Sequence, residues 1–241
     1  MTTKLLYACL SGWTATFKSP LFVSNSGVSS YMPTLKLPSY STIIGLLGNI
    51  VGRDLELNEI KRIGYIFDFE KKEGNIDIEK IKSFSINKKG ELQENKGNSN
   101  PARREFLVRP QLQLFLENVE LFEPSFYSPH NIPSFGRSQD VAWFERLPNG
   151  KQYEIIEASE VSQGIVRNTL VPFPQKNAAG IILPLAEYYY NYKLGETRYP
   201  LKMRTFQFID TETAIERSNL FAIPSLDNIT IYLHDITEIA K

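Results

Sequence analysis

Cysteine is almost missing from this chain. Among 241 residues only Cys9 carries a thiol, which excludes a disulfide framework and any cysteine-based zinc site. Histidine is nearly as scarce, with His130 and His234 alone. Net charge is missing too: 27 Lys+Arg balance 27 Asp+Glu, so the whole molecule exerts no general attraction on nucleic acid. Long apolar runs are lacking, since no window approaches the roughly 18 residues of a membrane span. The apolar stretch at 5–10 is too short for a signal-peptide core, which predicts a cytoplasmic protein with no membrane partner. No GxSxG elbow, HExxH helix, P-loop or EF-hand loop occurs, and the carboxylates form no paired acidic motif. A metal-dependent nuclease is therefore disfavoured, and neither metal nor cofactor is expected.

What is present centres on residues 37–52, LPSYSTIIGLLGNIVG. Pro38 and Ser39 form a helix start, the serine oxygen being suited to cap an orphan backbone N–H. Tyr40, Ile43, Ile44, Leu47, Ile50 and Val51 then follow the spacing of one helical face. Interior Gly45 and Gly48 each cost about 1 kcal/mol relative to alanine. Their presence predicts close approach of the helix to a sheet or to a ligand backbone. Gly52 reads as the terminating glycine. The long serine-rich loop at 14–37, with Lys18 and Lys36, leads into this start. A helix N-terminus offers free N–H groups to an anion such as phosphate, so the loop is read as functional.

Around this helix the chain reads as strands. Residues 4–13 are apolar on both faces, as in a central strand, and 63–69 alternate as a second. Residues 70–104 change character: from 71 to 104 there are nine basic and five acidic side chains, a net of +4. Asn87-Lys88-Lys89-Gly90 is a turn signal between two short strands, so an inserted β-hairpin is expected. Residues 106–117 alternate as one strand, with Pro110 marking an edge or bulge. Arg103, Arg104 and Arg109 crowd its beginning, and planar guanidiniums suit phosphate. Residues 118–133 are too proline-broken for a long helix. Phe135-Gly136-Arg137-Ser138-Gln139-Asp140 then makes a turn whose backbone N–H and arginine suit a phosphate. Beyond 150 come short strands, and the last 32 residues carry a net of −4 that offsets the insertion.

The expected class is α+β: a ferredoxin-like (RRM-like) sheet over 1–145, with a hairpin insertion at about 70–104 and a β-rich extension over 146–241. His130, Ser138 and Asp140 could be imagined as a triad, but no nucleophile elbow supports it.

Four ordered elements carry a resemblance: Gly12 with Thr16-Phe17-Lys18, the run from Pro38 to Leu47, Arg104-Glu105-Phe106-Leu107, and the turn from Phe135 to Asp140. Together, over roughly residues 4–145, they resemble the CRISPR-associated "Cas five" family, RAMP-superfamily subunits of type I Cascade complexes, with a type I-B-like system favoured. The resemblance implies a ferredoxin-like RAMP domain with a β-hairpin thumb. It implies a protein that holds the 5′ handle of the CRISPR RNA (crRNA), caps the backbone-subunit filament and touches the large subunit, meeting target DNA only indirectly. The RNA-binding residues expected on this basis and from the arginine cluster are Lys18, Ser39, Tyr40, Arg103, Arg104, Arg109, Gly136, Arg137, Ser138 and Gln139. One branch of the family cleaves precursor crRNA with a tyrosine, a lysine and an adjacent histidine. This chain has no Lys-His pair, so no catalysis is expected, and a metal-independent endoribonuclease is the alternative.

Overall fold

The computed structural model describes residues 2–18, 31–78, 83–95, 101–176, 178–189 and 200–236. In chain order, β1 (Thr2–Gly12) and β2 (Thr14–Ala15) precede β3 (Tyr31–Met32) and helix α1 (Tyr40–Val51). Then come β4 (Arg62–Asp68), β5 (Lys71–Ile78), β6 (Ser83–Ile86), β7 (Leu92–Asn95), β8 (Pro101–Val108) and β9 (Gln111–Leu116). Helix α2 (Val119–Tyr127) leads to β10 (Ala142–Phe144) and the long β11 (Tyr153–Val166). The remainder is β12 (Thr169–Pro172), β13 (Ile182–Tyr189), β14 (Pro200–Ile209), β15 (Thr213–Ile223), β16 (Ile229–Tyr232) and β17 (His234–Asp235).

The main sheet runs β16-β15-β11-β1-β9-β4-β17, with β10 also paired to β1, and every pairing in it is antiparallel. β1 lies at its centre because it is apolar on both faces. Leu6, Ala8 and Leu10 join the core that also contains α1 and α2, while Leu5 and Tyr7 join a second core against Phe115, Ile156 and Phe221. Hydrogen bonding crosses the boundary expected at 145, because β11 pairs along β1 from Thr2↔Ser159 to Ala8↔Tyr153. β12, β14 and β13 form a separate three-stranded sheet, and its Leu170, Leu183, Leu185 and Phe206 share the core of the helices.

The insertion is a hairpin of β5 and β8, in register from Lys71↔Val108 to Ile78↔Pro101, with the short β6–β7 pair beyond it. The turn signal at 87–90 has its physical basis here: the Asn87 side chain accepts from the Lys89 and Glu91 N–H groups, and Gly90 sits at φ +79. The strand expected over 106–117 is in fact two strands in different sheets. Arg109 lies at φ +49 and its N–H donates to the Trp13 carbonyl, while Pro110 has no N–H to continue a ladder. The chain therefore turns at Arg109-Pro110 and re-emerges as β9. The proline-broken segment holds the nine-residue α2, which keeps Pro124 inside it.

Candidate functional site

The site is organised by the start of α1. Ser39 is its N-cap, with Oγ accepting from the Thr42 N–H at 3.3 Å, as the sequence pattern anticipates. Beneath the cap, the Tyr65 hydroxyl donates to the Pro38 carbonyl at 2.7 Å. The Tyr40 hydroxyl donates to the Leu170 carbonyl at 2.9 Å, and its ring stacks on His234 at 4.1 Å. Burial pushes the Tyr40 phenol far above its ordinary value, so it stays neutral. Its apolar residues turned inward, α1 presents Ser41, Thr42, Gly45, Gly48 and Asn49 to an open cleft of about 1210 Å³.

The two interior glycines have different reasons. A methyl on Gly48 would meet the Arg53 carbonyl at 3.0 Å, so this glycine lets the chain fold back over the helix end. A methyl on Gly45 would meet nothing within 4 Å among the described residues. Of the two expected reasons for Gly45, packing on a sheet does not hold among the described residues, since it faces the cleft. Gly52, at φ +84, is the C-cap, and a Cβ there would strike the His130 ring.

Lys18 and the turn at 135–140 form another part of the lining. Phe17 N–H donates to Thr34 Oγ1 and Leu35 N–H to the Phe17 carbonyl, which anchors the strand end carrying Lys18. The Thr16 N–H donates to the Phe135 carbonyl at 3.0 Å, bringing the two backbones together where Gly136 sits at φ +101. Arg137 donates through Nε to Asp140 Oδ2 at 3.1 Å and through Nη2 to Oδ1 at 3.2 Å. The buried Asp140 also accepts from Thr14 Oγ1 at 2.7 Å. Arg104 reaches the cleft from β8, and Arg53 from the loop after α1. Arg53 grips Glu59 with both Nη atoms, and its guanidinium holds the Glu59 carboxyl below the usual range.

Of the residues expected at the site, Lys18, Arg104, Gly136 and Arg137 line this one cleft although the chain separates them by more than a hundred positions. Ser39 lies under it as the cap. Tyr40 is a correction: at 0% exposure its ring packs between core aromatics and offers no face to a base. Arg109, Ser138 and Gln139 do not line the cleft; all three are exposed, and Arg109 pairs with Glu70 at 3.1 Å. The Arg103 side chain and residues 19–30 of the expected functional loop lie outside the described residues. Sequence reasoning missed Arg53, Asn49, Asn131, Tyr188 and Tyr189, all of which line it. Of these only Asn49 carried a local signal, sitting one turn beyond Gly45 on the helix. His234 is 1% exposed in the core, and His130 covers the C-cap of α1.

Among the described residues no group of three His, Cys, Asp or Glu side chains is arranged to hold a metal ion. Among them, too, no helix is long and apolar enough to cross a membrane. The cleft gathers Lys18, Arg53, Arg104 and Arg137 with Asp54, hydroxyls and amides beside apolar side chains.

No family model matches the chain, and no curated protein matches it. Solved structures do. One, described as a "CRISPR RNA-guided surveillance complex", aligns with a TM-score of 0.50 at 13% identity, over 87% of this chain and 91% of the other. Another, the "Type III-B Cmr-beta bound to cognate target RNA", aligns with a TM-score of 0.52 at 14% identity, over 97% and 99%. The chain shares the fold of these CRISPR-complex components.

Proposed function

We propose that this chain is a non-catalytic crRNA-binding subunit of a CRISPR surveillance complex, of the "Cas five" kind in a type I Cascade. It holds the 5′ handle in the cleft beside α1 and caps the backbone-subunit filament next to the large subunit. One observation carries the reading. Lys18, Arg104 and the Gly136-Arg137 turn come from three distant segments and converge on a single groove. Its volume of about 1210 Å³ exceeds the roughly 300–1,000 Å³ of small-molecule pockets and suits a stretch of single strand. RNA recognition of this sort needs phosphate contacts together with surfaces for unstacked bases. The shared fold supports the same reading, as does the strand order β11-β1-β9-β4. That order is fourth, first, third, second among the strands that flank the two helices, as a ferredoxin-like sheet requires. A subunit enclosed by RNA and protein partners also needs no net charge.

Lys18 is the clean probe, because it is exposed while Arg137 is engaged with a buried aspartate. Lys18→Glu is expected to weaken binding of repeat-derived single-stranded RNA roughly tenfold. It should also flatten the salt dependence by about 0.7 in log–log slope, the share of one phosphate contact. Fluorescence anisotropy across a salt series measures both; unchanged affinity and slope would remove Lys18 from the site.

Neither histidine lines the cleft, which supports a binding role over cleavage. Incubating the protein with repeat RNA in EDTA is expected to leave the RNA intact on a denaturing gel. Discrete cleavage abolished by His130→Ala would instead establish the endoribonuclease.

A further inference from the structure

Gly45 has no reason among the described residues. It lies in the middle of α1, where glycine costs a helix about 1 kcal/mol relative to alanine. Gly48 and Gly52 are each required by a close neighbour, but a Cβ on Gly45 would meet no atom of the described residues within 4 Å. It is also exposed and lines the cleft. A glycine there leaves a flat strip of helix backbone open to whatever enters. A further part of the lining points to a ligand. Tyr189 places an aromatic ring, 39% exposed, on the same lining.

We infer that one unstacked nucleobase of the bound strand lies against α1 at Gly45, so that this position reads the presence of a base where Lys18 and Arg104 read only phosphate. Bases stack on exposed rings whatever their identity, and a helix without a side chain admits the planar ring edge-on or flat. This inference rests on the RNA-binding reading above.

The test is a cycle using the full-length protein and a short fluorescein-labelled single strand of repeat-derived RNA, intact or carrying one abasic site at each position in turn. For the wild type, one abasic position is expected to lose about 5- to 100-fold in affinity, the worth of one stacked base. Gly45→Leu should lose a similar factor on intact RNA and nothing further on that abasic RNA, while melting no lower than wild type, since leucine is the better helix former. Gly45→Leu binding as tightly as wild type would overturn the inference, as would losses that simply add. If the wild-type protein binds none of these RNAs, the RNA reading fails first and this slot with it. A wild type that binds while no abasic position couples to Gly45 defeats the slot alone.

Discussion

Glu187→Ala is expected to destabilise the protein by about 3 kcal/mol, which would make this buried carboxylate one of its most sensitive side chains. Glu187 is 0% exposed, on β13. Its Oε1 accepts from His234 Nε2 at 2.7 Å and from Arg204 Nε at 2.8 Å. These contacts fasten β17, at the edge of the main sheet, to the three-stranded sheet, and the stacked Tyr40 carries the same link to the start of α1. Removing a partner from a buried pair leaves the other charge uncompensated, at about 3–5 kcal/mol. The lower end applies because Arg204 keeps a quarter of its side chain in water. Chemical denaturation of the variant measures the loss. A midpoint within error of wild type would show that the network contributes no stability.

The same residue fixes a pH signature. Burial pushes the Glu187 carboxyl up, but the hydrogen bond from His234, with the His234, Arg204 and Lys202 charges, overcomes burial and holds it below its ordinary value. A carboxyl whose native value is depressed stabilises the fold fully above the unfolded value, about 4.3. That contribution disappears as pH falls through the native value. The stability gap between wild type and Glu187→Gln should therefore be widest near neutrality and close at acid pH.

Gly136→Ala is expected to cost about 2–4 kcal/mol and to weaken RNA binding at the same time. At φ +101 a side chain is strained by about 1–3 kcal/mol, whatever space surrounds it. Here there is no space, because a Cβ would strike the Thr16 carbonyl oxygen. The two backbones would have to part, losing the Thr16 N–H bond to the Phe135 carbonyl, worth about 1 kcal/mol. Phe135, 2% exposed, would be drawn from the core, and the Arg137–Asp140–Thr14 network would shift with the turn. Ser138→Ala and Gln139→Ala provide the control, since both side chains are exposed beyond the cleft. Thermal unfolding together with RNA anisotropy separates the cases. A Gly136→Ala protein as stable as wild type would show that the turn can move away from Thr16 freely.

The features legible in the sequence were those whose cause lies within a few residues. The spacing of apolar residues made β1 and α1 visible, Ser39 and Gly52 marked the helix ends, and Asn87-Gly90 marked the hairpin. The motif order singled out Lys18, Arg104 and the Gly136-Arg137 turn, which the fold brings to one cleft. Capping, periodicity and turn chemistry are local interactions, and a local pattern of residues specifies them.

Everything that depends on a distant partner was decided by the tertiary structure. Tyr40 fitted equally an RNA-facing ring and a core ring until Leu170 and His234 enclosed it. Arg137 read as a free phosphate ligand, and the packing of Thr14 beside Asp140 made that turn an internal brace as well. β12 and β15 carried too little alternation of their own to stand out, and became strands because β14 and β11 supply their hydrogen bonds. Two glycines three positions apart on α1 look alike as letters. Only the folded chain shows that Gly48 makes room for the Arg53 carbonyl while Gly45 opens onto the cleft, because the space a missing side chain leaves is set by what packs opposite it.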